Sequence, residues 1–240
     1  MLVDMVHGTI ARRILLNYRI DPECLSRVLP RPFRPNLYRG KAIGGVCMIR
    51  FQGLRPRFVP SWLGITSENA AHRIAVTWED NGQTKEGVFI PRRDTNSWFN
   101  KTLGGSVFPG IFDRSLFQVN ESDTQVRVRI EREDGEEEIL FAGHRAEAIP
   151  STSLFPTIEE AAGFFSLGAT GYSATRENGR YHGMELRCLD WTIQPLVVDE
   201  ARSRFFGDPD RFPPGTVEID CALLMRGIAH EWHSRPDLRA

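Results

Sequence analysis

The sequence predicts an α+β protein built mainly of antiparallel β-strands, with a few helices outside the sheet. The clearest strand covers residues 125–131, where Val and Ile alternate with polar side chains and so point to one face. Asn81-Gly82 and Asp134-Gly135 are dipeptides typical of the tight turns between antiparallel strands. Because no Ser/Gly linker or charged run divides the chain, we expect residues 1–240 to form a single domain.

The elements follow in chain order. A first strand is predicted over residues 13–20, and Asp21 then suits the N-cap of a short helix that Pro30 ends. Thr157 and Glu160 form the capping-box pattern of a longer helix. Residues 198–206 have no clear helix or strand pattern. Further strands are predicted at 42–51, 73–78, 86–90, 125–131, 138–143, 185–192 and 218–225.

Composition excludes some classes of function. The formal net charge is −1, and no block is strongly basic, so we expect no binding to nucleic acid or to a membrane surface. No apolar stretch approaches the ~20 residues that span a bilayer. The basic residues are 27 arginines and only three lysines, so few side chains could form an imine.

The cysteines indicate a cellular location. They lie far apart in sequence and form no CxxC pair, and the N-terminal segment does not have the pattern of a secretory signal. We therefore expect a cytoplasmic protein with reduced, buried thiols. The four are Cys24, Cys47, Cys188 and Cys221.

Glu68 and Asn69 lie in the densest polar segment, residues 66–73. If Glu68 faces a cavity, burial would raise its affinity for a proton and suit it to acid–base catalysis. The alternative is that both residues only cap and orient a loop.

Arg92 and Arg93 follow a predicted strand and Pro91. Arginine suits the bidentate capture of a carboxylate. Neighbouring side chains of a strand point to opposite faces, so one of the two should face inward. The alternative is a surface ion pair with Asp94.

Two further segments contain candidate residues. Lys101 lies in a glycine-containing segment, residues 100–110, that could edge a cavity or simply connect two elements. His230 and His233 suggest a metal, but their spacing fits neither HExxH nor a zinc finger, so we expect no metal. No cofactor motif is present in the sequence, and we expect no cofactor.

Several segments together resemble the acetoacetate-decarboxylase-like superfamily. Residues 17–25 and 28–33 are similar to its opening strand and helix, and Glu68 followed by Pro91-Arg92-Arg93 is similar to its cavity glutamate and Pro-Lys-Lys segment. The chain from about residue 12 to 236 resembles an uncharacterised conserved branch of that superfamily. The segments typical of the branch are 43–50, 67–73, 90–95 and 225–233.

The resemblance implies a curved sheet, or closed β-cone, around a central cavity, and assembly into a homo-oligomer. The first lysine of the Pro-Lys-Lys pair forms an imine in the decarboxylases, but Arg92 and Arg93 occupy the matching positions here. A guanidinium stays protonated and cannot act as an amine nucleophile at neutral pH. We therefore do not expect acetoacetate decarboxylase activity.

Three hypotheses of function follow. The first is a cavity that binds a small organic acid, with lyase or isomerase chemistry that uses Glu68 and Arg92 or Arg93 without an imine. The second is a non-catalytic sensor or carrier on the same fold. The third is a decarboxylase in which Lys101 replaces the missing lysine.

Overall fold

The fold is a single large sheet with few helices. The computed structural model describes residues 5–97, 110–188 and 192–240. Its strands form one 13-stranded, mainly antiparallel sheet, which confirms the predicted fold class. The strands are β1 Met5–Ile20, β2 Arg34–Pro35, β3 Leu37–Tyr38, β4 Lys41–Pro56, β5 Ile65–Asp80, β6 Gln83–Thr95, β7 Phe112–Glu121, β8 Gln125–Arg132, β9 Glu137–Arg145, β10 Thr170–Ala174, β11 Arg180–Cys188, β12 Gln194–Ser203 and β13 Val217–Arg239.

Strands that lie far apart in the sheet order also pair with each other. The strand order is β11-β10-β6-β7-β8-β9-β12-β13-β1-β4-β5-β2, with β3 on β4. The additional pairs β11–β13 and β5–β6 join strands that are distant in this order, so the sheet is curved. β6 pairs in parallel with β10 and β7, and the other described pairs are antiparallel.

Side-chain alternation along the strands produces two hydrophobic cores, one on each face of the sheet. In β1, Ile14 and Leu16 belong to the first core, and Leu15 belongs to the second. Each fully buried aliphatic side chain contributes about 1.5–3 kcal/mol. The second core also includes Phe155 and Phe165, which belong to the segment around the longer helix.

Both predicted helices are present, α1 at Pro22–Val28 and α2 at Ile158–Leu167. Asp21 caps α1 by accepting the backbone N–H of Cys24 at 3.0 Å, and Thr157 caps α2 by accepting that of Glu160 at 3.2 Å. The Glu160 side chain accepts the hydroxyl of Tyr38 at 2.6 Å instead of completing the capping box. A tertiary contact therefore replaces a local one. A 3₁₀ turn covers Ser61–Leu63.

The last strand is longer than the sequence predicts. β13 continues well beyond the predicted end at residue 225 because it pairs with β1 and then also with β11. Neighbours on both edges satisfy its backbone groups, so the segment is extended even where apolar alternation is weak. His230 and His233 lie in this extension. No helix among the described residues has the length and apolar character needed to cross a membrane.

Candidate functional site

A β-bulge decides which of the two adjacent arginines of β6 faces inward. His72 of β5 pairs with Arg92, and Ile74 pairs with Phe89, so β6 has one extra residue in this interval. Pro91 lies within it and has no N–H to donate to the ladder. The extra residue places Arg93, rather than Arg92, with Ile90 in the wall of the same cavity.

Arg92 is held by carboxylates on the other face of β6. Its guanidinium lies 2.7 Å from Asp94, 3.1 Å from Asp113 and 3.5 Å from Glu138. These interactions raise its pKa against the effect of burial, which lowers it. Arg92 therefore has its charge compensated within the protein. It lines a separate open cleft whose other charged residues are of both signs.

Arg93 has a different environment. Its Nε donates to Ser173 Oγ at 3.1 Å, and its guanidinium lies 5.5 Å from the ring centre of Phe112. Its Nη2 is buried and has no hydrogen-bond partner among the residues that the structure describes. Burial lowers the pKa of Arg93 to about 10, because a charged guanidinium is poorly solvated there.

Arg73 of β5 is buried in the same manner. Its guanidinium donates to Asn17 Oδ1 and lies 4.8 Å from the ring centre of Phe165. Its Nε is buried without a hydrogen-bond partner within the described ranges. Burial lowers the pKa of Arg73 to about 10. Two buried guanidinium groups thus retain N–H donors that an anion could use.

Arg73 and Arg93, together with Arg13 of β1, line one cavity, which we call the arginine cavity. Its volume is about 80 Å³, which suits a molecule of a few heavy atoms rather than a nucleotide. Of the described residues that line it, none is Asp or Glu. The rest of the wall is mainly apolar and comprises Cys47, Ile49, Phe51, Leu54, Asn69, Ala70, Ala71, Val88, Ile90, Phe112, Gly168, Ala169, Gly171, Met184, Leu186 and Trp232.

Glu68 does not line the arginine cavity. Its Oε1 lies 2.5 Å from Arg50 Nε and its Oε2 lies 2.6 Å from Arg12, whose side chain is 1% exposed. Glu121 accepts from Arg12 at 3.2 Å and from Arg50 at 2.8 Å, and Arg226 donates to it at 3.1 Å. We call these five residues the carboxylate cluster.

The register of four adjacent strands assembles the carboxylate cluster. Arg226 of β13 pairs with Arg12 of β1, Arg12 with Arg50 of β4, and Arg50 with Glu68 of β5. Residues opposite each other share a face, so the four side chains form a row. Arg13 follows Arg12 and points to the opposite face, into the arginine cavity.

The other candidate residues lie in different places. Asn69 is buried in the cavity wall, and its Nδ2 donates to Ser67 Oγ at 2.9 Å. Its role as a ligand-binding residue stays a prediction. Lys101 lies outside the described residues. Among those described, no group of three His, Cys, Asp or Glu side chains is arranged to hold a metal.

Ser203, His72 and Glu138 are close together but do not have the geometry of a catalytic triad. His72 Nε2 lies 3.1 Å from Ser203 Oγ and 3.7 Å from Glu138, so a single nitrogen faces both groups. A triad requires the carboxylate on the other ring nitrogen. Burial lowers the pKa of His72 to about 3, so the ring is neutral at ordinary pH.

The sequence interpretation did not select Arg13, Arg73 or Trp232 as site residues. The sequence contained a signal for two of them. Arg13 lies beside the apolar residues of β1, and Arg73 is four positions after Asn69, which places both on the same face of a strand. Trp232 Nε1 is buried in the wall without a hydrogen-bond partner in the described part of the chain. Only the β11–β13 pairing shows why Trp232 lies there.

Solved structures with the same fold define the class of protein. An acetoacetate decarboxylase from Legionella pneumophila matches with a TM-score of 0.62 and 9% identity over 98% of this chain and 88% of that one. An acetoacetate decarboxylase-like enzyme from Sphingomonas wittichii RW1 matches at 0.62 and 12% over 100% and 94%. The enduracididine biosynthesis enzyme MppR, complexed with pyruvate, matches at 0.57 and 10% over 100% and 91%. The chain therefore has the acetoacetate-decarboxylase-like fold.

The family follows from the sequence match. The model of the DUF2071 family, described as an uncharacterized conserved protein, matches residues 8–209, so the chain belongs to this family. This confirms the predicted branch of the superfamily. No curated protein matches the chain.

Proposed function

We propose that the protein binds a small organic acid in the arginine cavity, with the carboxylate on Arg73 and Arg93. The supporting observation is that both guanidiniums are buried and have N–H groups without a hydrogen-bond partner among the described residues, and that no described residue of the lining is acidic. A buried charge is costly unless it is paired. A bound carboxylate would supply the missing charge and accept those N–H groups.

The apolar wall supports the same class of ligand. Ile90, Leu186 and Phe51 offer contacts to a short carbon chain, and the volume of about 80 Å³ limits its length. A protein of the same fold, MppR, has a structure with pyruvate, which is a molecule of this size and charge.

The test compares two adjacent arginines. Pyruvate, acetoacetate and lactate, each beside its neutral amide, would be added to wild type, Arg93→Gln and Arg92→Gln in a thermal unfolding assay. A ligand at about 100 times its Kd stabilises the fold by about 2.7 kcal/mol. We expect an acid to stabilise wild type and Arg92→Gln, and at least tenfold weaker binding to Arg93→Gln.

Two results would contradict the proposal. Equal binding of the acid and its amide would show that charge is not recognised. Loss of binding in Arg92→Gln but not in Arg93→Gln would place the ligand in the cleft on the other face. Quenching of Trp232 fluorescence, with Trp232→Phe as the control, reports binding at the cavity independently.

Catalysis stays a separate prediction. Proton exchange at the α-carbon of a bound 2-oxo acid, lost in Glu68→Gln, would support the acid–base hypothesis. The arginine partners of both Glu68 oxygens favour a structural role instead.

Borohydride trapping with acetoacetate tests an imine on Lys101. Self-assembly stays a prediction that sedimentation would check.

A further inference from the structure

The arginine cavity contains a thiol in a cationic environment. Cys47 of β4 lines the cavity, and its Sγ accepts the Nε–H of Arg13 at 3.3 Å. The sulfur is also close enough for electrostatic interaction with both Arg73 and Arg93. Cationic neighbours and an N–H donor stabilise the negative charge on a thiolate sulfur.

Two of the other described cysteines also lie near a cation, Cys221 near Arg73 and Cys188 near Arg13, but neither lines the cavity. Cys221 is 1% exposed and lies beside Asp220, and burial raises its pKa to about 12. Burial also raises the pKa of Cys188. Cys24 is buried in α1, away from the cavity. Of the described residues that line the arginine cavity, Cys47 is the only cysteine.

Strand register places the thiol beside the anion donors. Cys47 pairs with Ala71 of β5, and Ala71 pairs with Arg93 of β6, so the three residues form a row across adjacent strands. Neighbouring strands are about 4.8 Å apart, so Cys47 and Arg93 are separated by about 10 Å at their backbones. The small side chain of Ala71 leaves space between them for a short molecule.

We propose that Cys47 is a nucleophile that adds to the carbonyl carbon of a 2-oxo acid bound in this cavity. This rests on the proposed function, since Arg73 and Arg93 hold the carboxylate. The sulfur donates an electron pair to the carbonyl carbon, the C=O π pair moves to oxygen, and the proton lost from the thiol reaches that oxygen through solvent. The product is a thiohemiketal, and guanidinium N–H groups stabilise the developing oxyanion.

The first experiment measures alkylation of the native, full-length protein, with peptide mapping by mass spectrometry. Iodoacetate and iodoacetamide transfer nearly the same group to sulfur with loss of iodide, but only iodoacetate is an anion. We expect iodoacetate to modify Cys47 at least tenfold faster than iodoacetamide does. Arg93→Gln should remove that preference, and Cys24 and Cys221 should react slowly with both reagents.

The second experiment detects the adduct itself. With wild type, pyruvate labelled with ¹³C at the carbonyl should show a protein-bound tetrahedral carbon resonance that is distinct from that of free pyruvate hydrate and absent with Cys47→Ser. Because Cys47→Ser keeps Arg73 and Arg93, pyruvate should still stabilise it in the thermal assay, but by less than it stabilises wild type, since the covalent adduct is lost. The variant thus separates covalent addition from acid binding.

Each outcome decides between the two proposals. Stabilisation by pyruvate without a tetrahedral resonance, or without selective alkylation of Cys47, overturns the nucleophile and leaves acid binding intact. No stabilisation and no preference for iodoacetate overturns both. A protein-bound tetrahedral resonance that persists in Cys47→Ser arises from another residue and also overturns the assignment.

Discussion

Two groups of three arginines lie on opposite faces of the sheet, and they differ in what balances their charge. In the carboxylate cluster, Glu68 and Glu121 contact all three guanidiniums. In the arginine cavity, no described lining residue is acidic. Adjacent residues of β1, Arg12 and Arg13, contribute one arginine to each group. We therefore expect the first group to stabilise the sheet, and the second group is the one that we propose binds a ligand.

The largest expected effect is a loss of stability when the carboxylate cluster is altered. Glu68→Gln would leave Arg12 and Arg50 facing a neutral amide in a buried site, and breaking a buried pair costs about 3–5 kcal/mol. Urea unfolding would measure the loss. The exposed pair Arg127–Glu200 is the control, because Glu200→Gln should cost less than about 1 kcal/mol. Similar losses in both variants would show that burial does not distinguish the pairs.

The next effect is a pH dependence of the free energy of unfolding, caused by His72 on the same face of the sheet as the carboxylate cluster. His72 is fully buried and neutral, with its pKa lowered to about 3 by desolvation first and then by Arg92 and Arg211, whereas an unfolded histidine titrates near 6.5. Only the unfolded state therefore takes up a proton as the pH falls from about 6.5 towards 3. Wild type should lose up to about 1.4 kcal/mol per pH unit relative to His72→Gln in that window.

Glu138 faces His72 at 3.7 Å, and burial raises its pKa. Wild type and His72→Gln both contain Glu138, so the comparison between them isolates the effect of His72. Ser203 is the other polar contact of the ring. Unfolding measured at pH 7 and pH 5 for wild type and His72→Gln gives the difference in slope. Parallel slopes would mean that His72 takes up its proton over the same pH range in the folded and unfolded states, which would contradict the prediction.

The smallest effect is expected in the cavity. Arg73→Met replaces a desolvated charge with an apolar side chain of similar length, so the free energy of unfolding without ligand should fall by no more than about 1 kcal/mol. Arg12→Met is the matched variant on the other face and should lose about 3 kcal/mol or more. If the two variants lose equal stability, both groups of arginines are structural.

Local sequence patterns account for much of the fold. The alternation at 125–131, the turns at Asn81-Gly82 and Gly135, and the caps Asp21 and Thr157 all depend on neighbouring residues, and each is present in the structure. The full length of β13 could not be predicted, because its second half pairs with β11 rather than with a strand close in sequence.

The sequence suggested an acid site, which stays a prediction, but it did not give the geometry of the candidate residues. Arginines in the Pro91-Arg92-Arg93 segment indicated an acid site, and alternation predicted that one of them faces inward. A bulge between Phe89 and Arg92 then determines which one, and strand alternation alone gives no information about a bulge. Arg73 and Cys47 join Arg93 only through the pairing of β4, β5 and β6.

The sequence by itself predicted several strands, the turns, the helix caps and the lack of lysine in the Pro91-Arg92-Arg93 segment, because these local patterns depend on neighbouring residues, but it did not predict β7 or β10. Only the tertiary structure decided that Glu68 lies between Arg12 and Arg50, and that Arg73, Arg93 and Cys47 share one cavity. The physical reason is that register, bulges and sheet curvature bring together side chains that are 18 to 56 positions apart, and each is set by the whole sheet rather than by one strand.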